Sequence, residues 1–176
     1  MVNLEMRAPL ELKEYIMKLF KGSGKKHLVI TGSKQIGKST LVREILRHET
    51  EYGGIVTYLK LDHRNMPTEV VMEDILDKGK SCIIGKMTDN GMIAVSEGFE
   101  IDGVNLLKKY RLSKTETIVI DEIGFLETNA KNYQKEIMLC FRDKRIIAVI
   151  RKEDNDFLNE IKNFPNTLVV DLDQFS

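Results

Sequence analysis

Residues 32–39 read Gly-Ser-Lys-Gln-Ile-Gly-Lys-Ser, a complete G-x-x-x-x-G-K-S loop, and the apolar run Leu28-Val29-Ile30 stands just before it. An amphipathic pattern follows from Lys38 to about Glu49, so the segment reads strand, loop, helix. Gly32 and Gly37 let the backbone turn tightly, so that successive N–H groups face one anion. The helix that opens near Lys38 adds the partial positive charge of its N-terminus. Lys38 is placed for the β- and γ-phosphates, the Ser39 hydroxyl for an accompanying Mg²⁺, and Thr40 for the α-phosphate. Ser33, Lys34, Gln35 and Ile36 complete the loop. Residues 32–40 are therefore expected to cradle a nucleoside triphosphate such as ATP or GTP.

A second segment answers the first. Thr117-Ile118-Val119-Ile120 reads as a buried parallel strand, and the carboxylates Asp121 and Glu122 follow directly. In open α/β sheets ligands bind outside that C-terminal edge. Asp121 is thus expected to hold the Mg²⁺ together with Ser39, and Glu122 to polarise a water that attacks the γ-phosphate. Arg142, Arg145 and Arg151 flank a later strand, and Arg151, after its C-terminal end, is the one placed to stabilise γ-phosphate charge.

The spacing defines the architecture. About 80 residues separate the two motifs, which leaves room for further strands. Arg145–Ile150 and Thr167–Asp171 are strand candidates, and helices are predicted over Asn129–Phe141 and Asn155–Phe164, the latter stopped by Pro165. Alternation of this kind implies a mainly parallel sheet with right-handed crossovers, hence a three-layer α/β/α P-loop NTPase domain. Gly53–Leu59 reads as a strand after a glycine turn. Thr68–Leu76 fits either a helix or an alternating strand. Ser81–Met87 and Met92–Val95 flank Thr88-Asp89-Asn90-Gly91, a hairpin signal. We read small antiparallel strands here, then a helix from Val104 to about Leu112. The whole chain, 1–176, is expected to form one domain, with a helical extension over 1–26 and an inserted β segment over about 68–100.

Composition narrows the function classes. Lys+Arg and Asp+Glu balance at 27 each, so no basic footprint for nucleic acid stands out. No apolar stretch approaches the roughly 20 residues that span a bilayer, and Met1–Arg7 lacks the pattern of a signal peptide. Cys82 and Cys140 lack a C-x-x-C partner and read as reduced thiols, which fits a cytoplasmic protein. His27, His48 and His63 have no metal spacing and read as surface or edge residues. The methionines read as core filler.

These pieces together resemble the THEP1-type nucleoside-triphosphatases, small P-loop NTPases with a Glu beside the Asp of the second motif. The matching segments are Ile30–Leu41, Gly53–Thr57 and above all Val119-Ile120-Asp121-Glu122-Ile123-Gly124-Phe125-Leu126-Glu127, close to that family's D-E-I-G-x-[ML]-E signature. Val149-Ile150-Arg151 and Phe157–Lys162 match in kind, and the likeness runs from about Leu28 to the C-terminus. It implies Mg²⁺-dependent hydrolysis of ATP, GTP and other triphosphates to the diphosphate with little base preference. Two departures stand out. The family often has Glu-x-Arg where this chain has Lys60 and then Asp62-His63-Arg64, and Lys34-Gln35-Ile36 replaces a commoner Pro-Gly-Val.

Asp121-Glu122-Ile123-Gly124 also fits the D-x-x-G of regulatory GTPases. The place of their guanine reader is held here by Arg151-Lys152-Glu153-Asp154, which reads as a solvated charge run starting a helix. Two alternatives to hydrolysis use the same loop. One is a kinase for a nucleoside or nucleotide acceptor, against which stands the absence of arginine from Met66 to Tyr110. The other is a nucleotide-gated switch read by a protein partner.

Overall fold

The computed structural model describes residues 9–175. Strands β1 (His27–Thr31), β6 (Thr117–Ile123) and β7 (Arg145–Ile150) are short apolar runs buried along almost their whole length. That is the pattern of parallel strands covered on both faces. The other strands are β2 (Tyr52–Leu61), β3 (Pro67–Asp74), β4 (Ser81–Thr88), β5 (Gly91–Ala94) and β8 (Thr167–Asp171). All eight form one sheet in the order β5-β4-β3-β2-β6-β7-β1-β8. The five strands from β2 to β8 in that order pair in parallel, and β3, β4 and β5 extend β2 antiparallel.

Side chains alternate between two cores. Leu28, Ile30, Val119, Ile147 and Val149 face α1 (Pro9–Ser23), α2 (Lys38–Leu46) and the closing turn Leu172–Phe175. Val29, Ile118, Ile120, Ile146, Ala148 and Ile150 face α3 (Val104–Arg111), α4 (Lys131–Asp143) and α5 (Asp156–Lys162). Helix, sheet and helix make three layers, and the chain has the three-layer α/β/α P-loop NTPase fold. Local signals set the helix ends. Asn155 caps α5 by accepting the Leu158 N–H at 2.8 Å, and Pro165 lies beyond its end.

The ambiguous Thr68–Leu76 segment is strand as far as Asp74, in β3, with Ile75 and Leu76 in the bend beyond it, and the Asn-Gly hairpin joins β4 to β5. The part of the N-terminal extension over residues 1–8 lies outside the described residues; from Pro9 it is α1.

Three expectations need correction. Gly53 and Gly54 form no turn; both lie inside β2. Each removes a side chain where something else must pass. A Cβ on Gly53 would meet the Tyr110 ring at 2.1 Å. One on Gly54, at φ +136°, would meet the Val119 carbonyl at 2.0 Å. His27 is no surface or edge residue but is buried between the Phe141 and Phe164 rings, with its Nδ1 accepting the Ile146 N–H. Its place at the start of β1, just before Leu28, makes it part of the core, and burial pushes its pKa down to about 4. Among the methionines, Met72 is core, whereas Met66, in the β2–β3 turn, and Met87, on β4, are exposed.

Candidate active site

The loop between β1 and α2 lies at the C-terminal edge of the parallel strands. Gly32 (φ +142°) and Gly37 (φ +99°) take backbone angles open mainly to glycine. A side chain at Gly32 would also be tight: a Cβ there would stand 3.2 Å from Ile36 and 3.3 Å from Leu172. Lys38 is buried, and its ammonium donates to the carbonyls of Gly32 and Ser33, both at 2.8 Å. An ammonium has three donors, so this leaves one for a phosphate oxygen.

The two motifs meet across the strand β7 that separates β1 from β6. The Ser39 hydroxyl donates to Asp121 Oδ1 at 3.0 Å. Asp121 is buried, and that burial pushes its pKa up to about 6. A buried carboxylate beside a hydroxyl is an all-oxygen donor pair. It suits Mg²⁺, which is held by one or two protein oxygens plus phosphates and water. Among the described residues no group of three or more His, Cys, Asp or Glu gathers to hold an ion unaided.

Between Asp121 and Ile123 the pairing of β6 with β7 slips, so Glu122 is left without a ladder partner on β7. Its N–H donates instead to Thr57 Oγ1 at 3.1 Å. Its carboxylate takes the Arg151 Nε–H at 2.8 Å. The two residues line a cleft of about 600 Å³ together with Gly32, Ser33, Lys34, Gln35, Lys38, Lys152 and Glu153. A contiguous hollow is lined by Gln35, Gly37, Lys38, Ser39, Thr40 and Glu122. Ile36 packs against the core that α1 and α2 cover. Arg142 and Arg145 lie at the opposite end of β7, where Arg142 pairs with Asp143 and Arg145 with Glu49. Lys60 and Arg64 pair with Glu69 and Asp62 on the β2–β3 hairpin, outside the cleft lining.

A family model described as NTPase matches residues 27–175. The chain belongs to this family. Nucleoside-triphosphatase THEP1 of Thermotoga sp. (strain RQ2) is 24% identical over 155 residues, covering 84% of this chain and 86% of that protein. Its counterpart from Thermotoga maritima is 24% identical over 154 residues, with the same coverage. The crystal structure of THEP1 from the hyperthermophile Aquifex aeolicus superposes with a TM-score of 0.66 at 21% identity. That match covers 83% of this chain and 89% of the other, and it supports the fold. The THEP1-type resemblance therefore stands, and the chain is an enzyme of the nucleoside-triphosphatase class. No helix among the described residues is long and apolar enough to cross a membrane.

Several residues of this NTPase site escape the sequence patterns. Asp173 accepts both the backbone N–H of Ser33 (3.0 Å) and its hydroxyl (2.9 Å), tying the loop to the C-terminal turn. Lys152 bridges Asp171 and Asp173 at 2.8 and 2.7 Å. Lys152 and the loop amide together hold the Asp173 carboxyl down to about 2. The charge run Arg151–Asp154 is thus not simply solvated, since three of its members line the cleft. Glu127 is buried and accepts the Gly124 N–H at 2.9 Å, while burial pushes its pKa up to about 7. Only Glu127 had a sequence signal, as the last residue of the family signature.

Proposed function

We propose that the chain hydrolyses nucleoside triphosphates, ATP and GTP among them, to the diphosphate and phosphate with broad base tolerance, as a Mg²⁺-dependent cytoplasmic enzyme. One observation carries the reading: Glu122, Arg151 and Lys38 line one cleft beside the glycine loop, and Ser39, hydrogen-bonded to Asp121, lines the neighbouring hollow that Lys38 and Glu122 share with it. Residues 32–40 bind the triphosphate through loop amides, the α2 N-terminus and the Lys38 ammonium. Ser39 and Asp121 would hold the Mg²⁺, which would supply positive charge to the triphosphate. Glu122 orients a water in line with the γ-phosphorus and accepts its proton as the new P–O bond forms. The β–γ bridging oxygen leaves with the electron pair of the broken bond. Arg151 and Lys38 stabilise negative charge on the transferring group. Broad base tolerance is what the resemblance to the THEP1-type enzymes implies.

The test is phosphate release from ATP, GTP, CTP and UTP by the purified protein, with Mg²⁺ and again with EDTA. Release from several nucleotides that EDTA abolishes is the expected result. Binding without release would overturn hydrolysis and leave the kinase or the switch. Product ADP appearing only when nucleoside acceptors are added would single out the kinase.

A further inference from the structure

Arg151 is seated with unusual care. Its backbone N–H donates to the Ile123 carbonyl at 2.9 Å, which fixes the end of β7 against the end of β6. Its side chain then crosses Gly124 so closely that a Cβ there would lie 2.8 Å from Cδ and 3.1 Å from Nε. The guanidinium ends 5.1 Å over the Phe125 ring, and the Glu127 carboxylate anchors the Gly124 N–H beneath it. The backbone of Gly124 is not in the left-handed region. A side chain at this position would therefore displace the arginine lying on it, while the turn itself sets no demand for glycine.

From this seat Arg151 holds Glu122, the proposed base, in an ion pair whose members keep 32% and 27% of their side-chain surface exposed. The Arg151 Nε–H occupies one Glu122 oxygen, and a pair so exposed is weakly held. A γ-phosphate carries more charge and presents more acceptor oxygens than one carboxylate. Guanidinium forks match such groups well. We propose, resting on the hydrolase reading, that Gly124 and Phe125 are positioning residues for a partner exchange by Arg151. Without a γ-phosphate Arg151 holds Glu122, and a bound triphosphate draws it onto the γ-phosphate, freeing Glu122 to take the proton of water. A diphosphate lacks those oxygens and leaves the pair closed. The site thereby discriminates substrate from product, and the pair re-forms when phosphate leaves.

The experiment compares wild type with Gly124→Ala, Arg151→Ala and Arg151→Lys. Each is titrated with Mg²⁺ plus either ADP or a non-hydrolysable ATP analogue, and each is assayed for phosphate release. Wild type should prefer the triphosphate by about tenfold or more, the scale of one charged hydrogen bond. Gly124→Ala and Arg151→Ala should bring that ratio close to one while ADP affinity stays unchanged, and Arg151→Lys should restore part of it. Retained ADP affinity reports that the loop is still folded. If Gly124→Ala loses ADP binding, Phe125→Ala serves as the second displacement of the guanidinium and should show the same loss of ratio. An unchanged ratio in Gly124→Ala, or in Phe125→Ala where that variant takes its place, overturns the proposal. The binding ratio is read without turnover, so failure of the hydrolase reading shows separately, as no phosphate release from wild type.

Discussion

The parallel and antiparallel halves of the sheet solve different problems with the same kind of strand. In the parallel half, β1, β6 and β7 are buried on both faces, and helices cover each side. In the antiparallel half the outer reach of β2 leaves Leu59 and Leu61 exposed, and Met66, Met87 and Ile93 are exposed beyond it. All residues assigned to phosphate, metal or water lie at one edge of the parallel half. Glu122 touches the seam, because its N–H is held by Thr57 on β2. A site that must keep carboxylates, ammonium and glycine loop in fixed register is thus built at the ends of strands that helices cover on both faces.

That contrast can be broken by substitutions on either side. Glu122→Gln should lower the rate of phosphate release by about 10²–10⁴-fold, the range expected for a general base. Next come the strands themselves. Ile120→Ala in β6 should cost about 2–5 kcal/mol in chemical unfolding, because its side chain is wholly buried and leaves a cavity. Leu61→Ala in the antiparallel half should stay within about 0.5 kcal/mol, as expected of an exposed position. Two glycines sharpen the same comparison, since both take positive φ. Gly54→Ala drives a Cβ into the Val119 carbonyl at the seam, and should destabilise more than Gly91→Ala in the hairpin, which has nothing within 4 Å. Equal losses in thermal midpoint would contradict the contrast.

A further expected effect is a pH dependence. His27 is held neutral by burial, with its pKa lowered from 6.5 to about 4. Unfolded chain binds a proton that folded chain refuses as pH falls below 6.5. The stability owed to this residue is therefore complete above that pH and lost progressively down to about pH 4. His27→Gln should flatten the thermal midpoint across that window, and an unaltered slope would remove His27 as its source.

Much of this was legible in the chain because it is local. The glycine loop, the apolar runs before it and before Asp121, and the Asn-Gly hairpin each carry their signal within a dozen residues. What escaped depends on partners far away in sequence. Asp173 reaches Ser33 only because β8 lies beside β1. Gly53 and Gly54 looked like a turn because the Tyr110 ring and the Val119 carbonyl that require them come from other elements. His27 looked like an edge residue because Phe141 and Phe164 close over it from outside its own strand. The β3 segment was ambiguous by periodicity, and pairing with β2 and β4 decided it.

The most direct test of the central claim pairs two readings on Glu122→Gln: MgATP binding by titration and phosphate release under the same conditions. The account predicts binding close to that of wild type and release reduced to a small residue. Release at the wild-type rate would contradict it, because the cleft would then be activating water without the carboxylate that the β6 bulge presents to it.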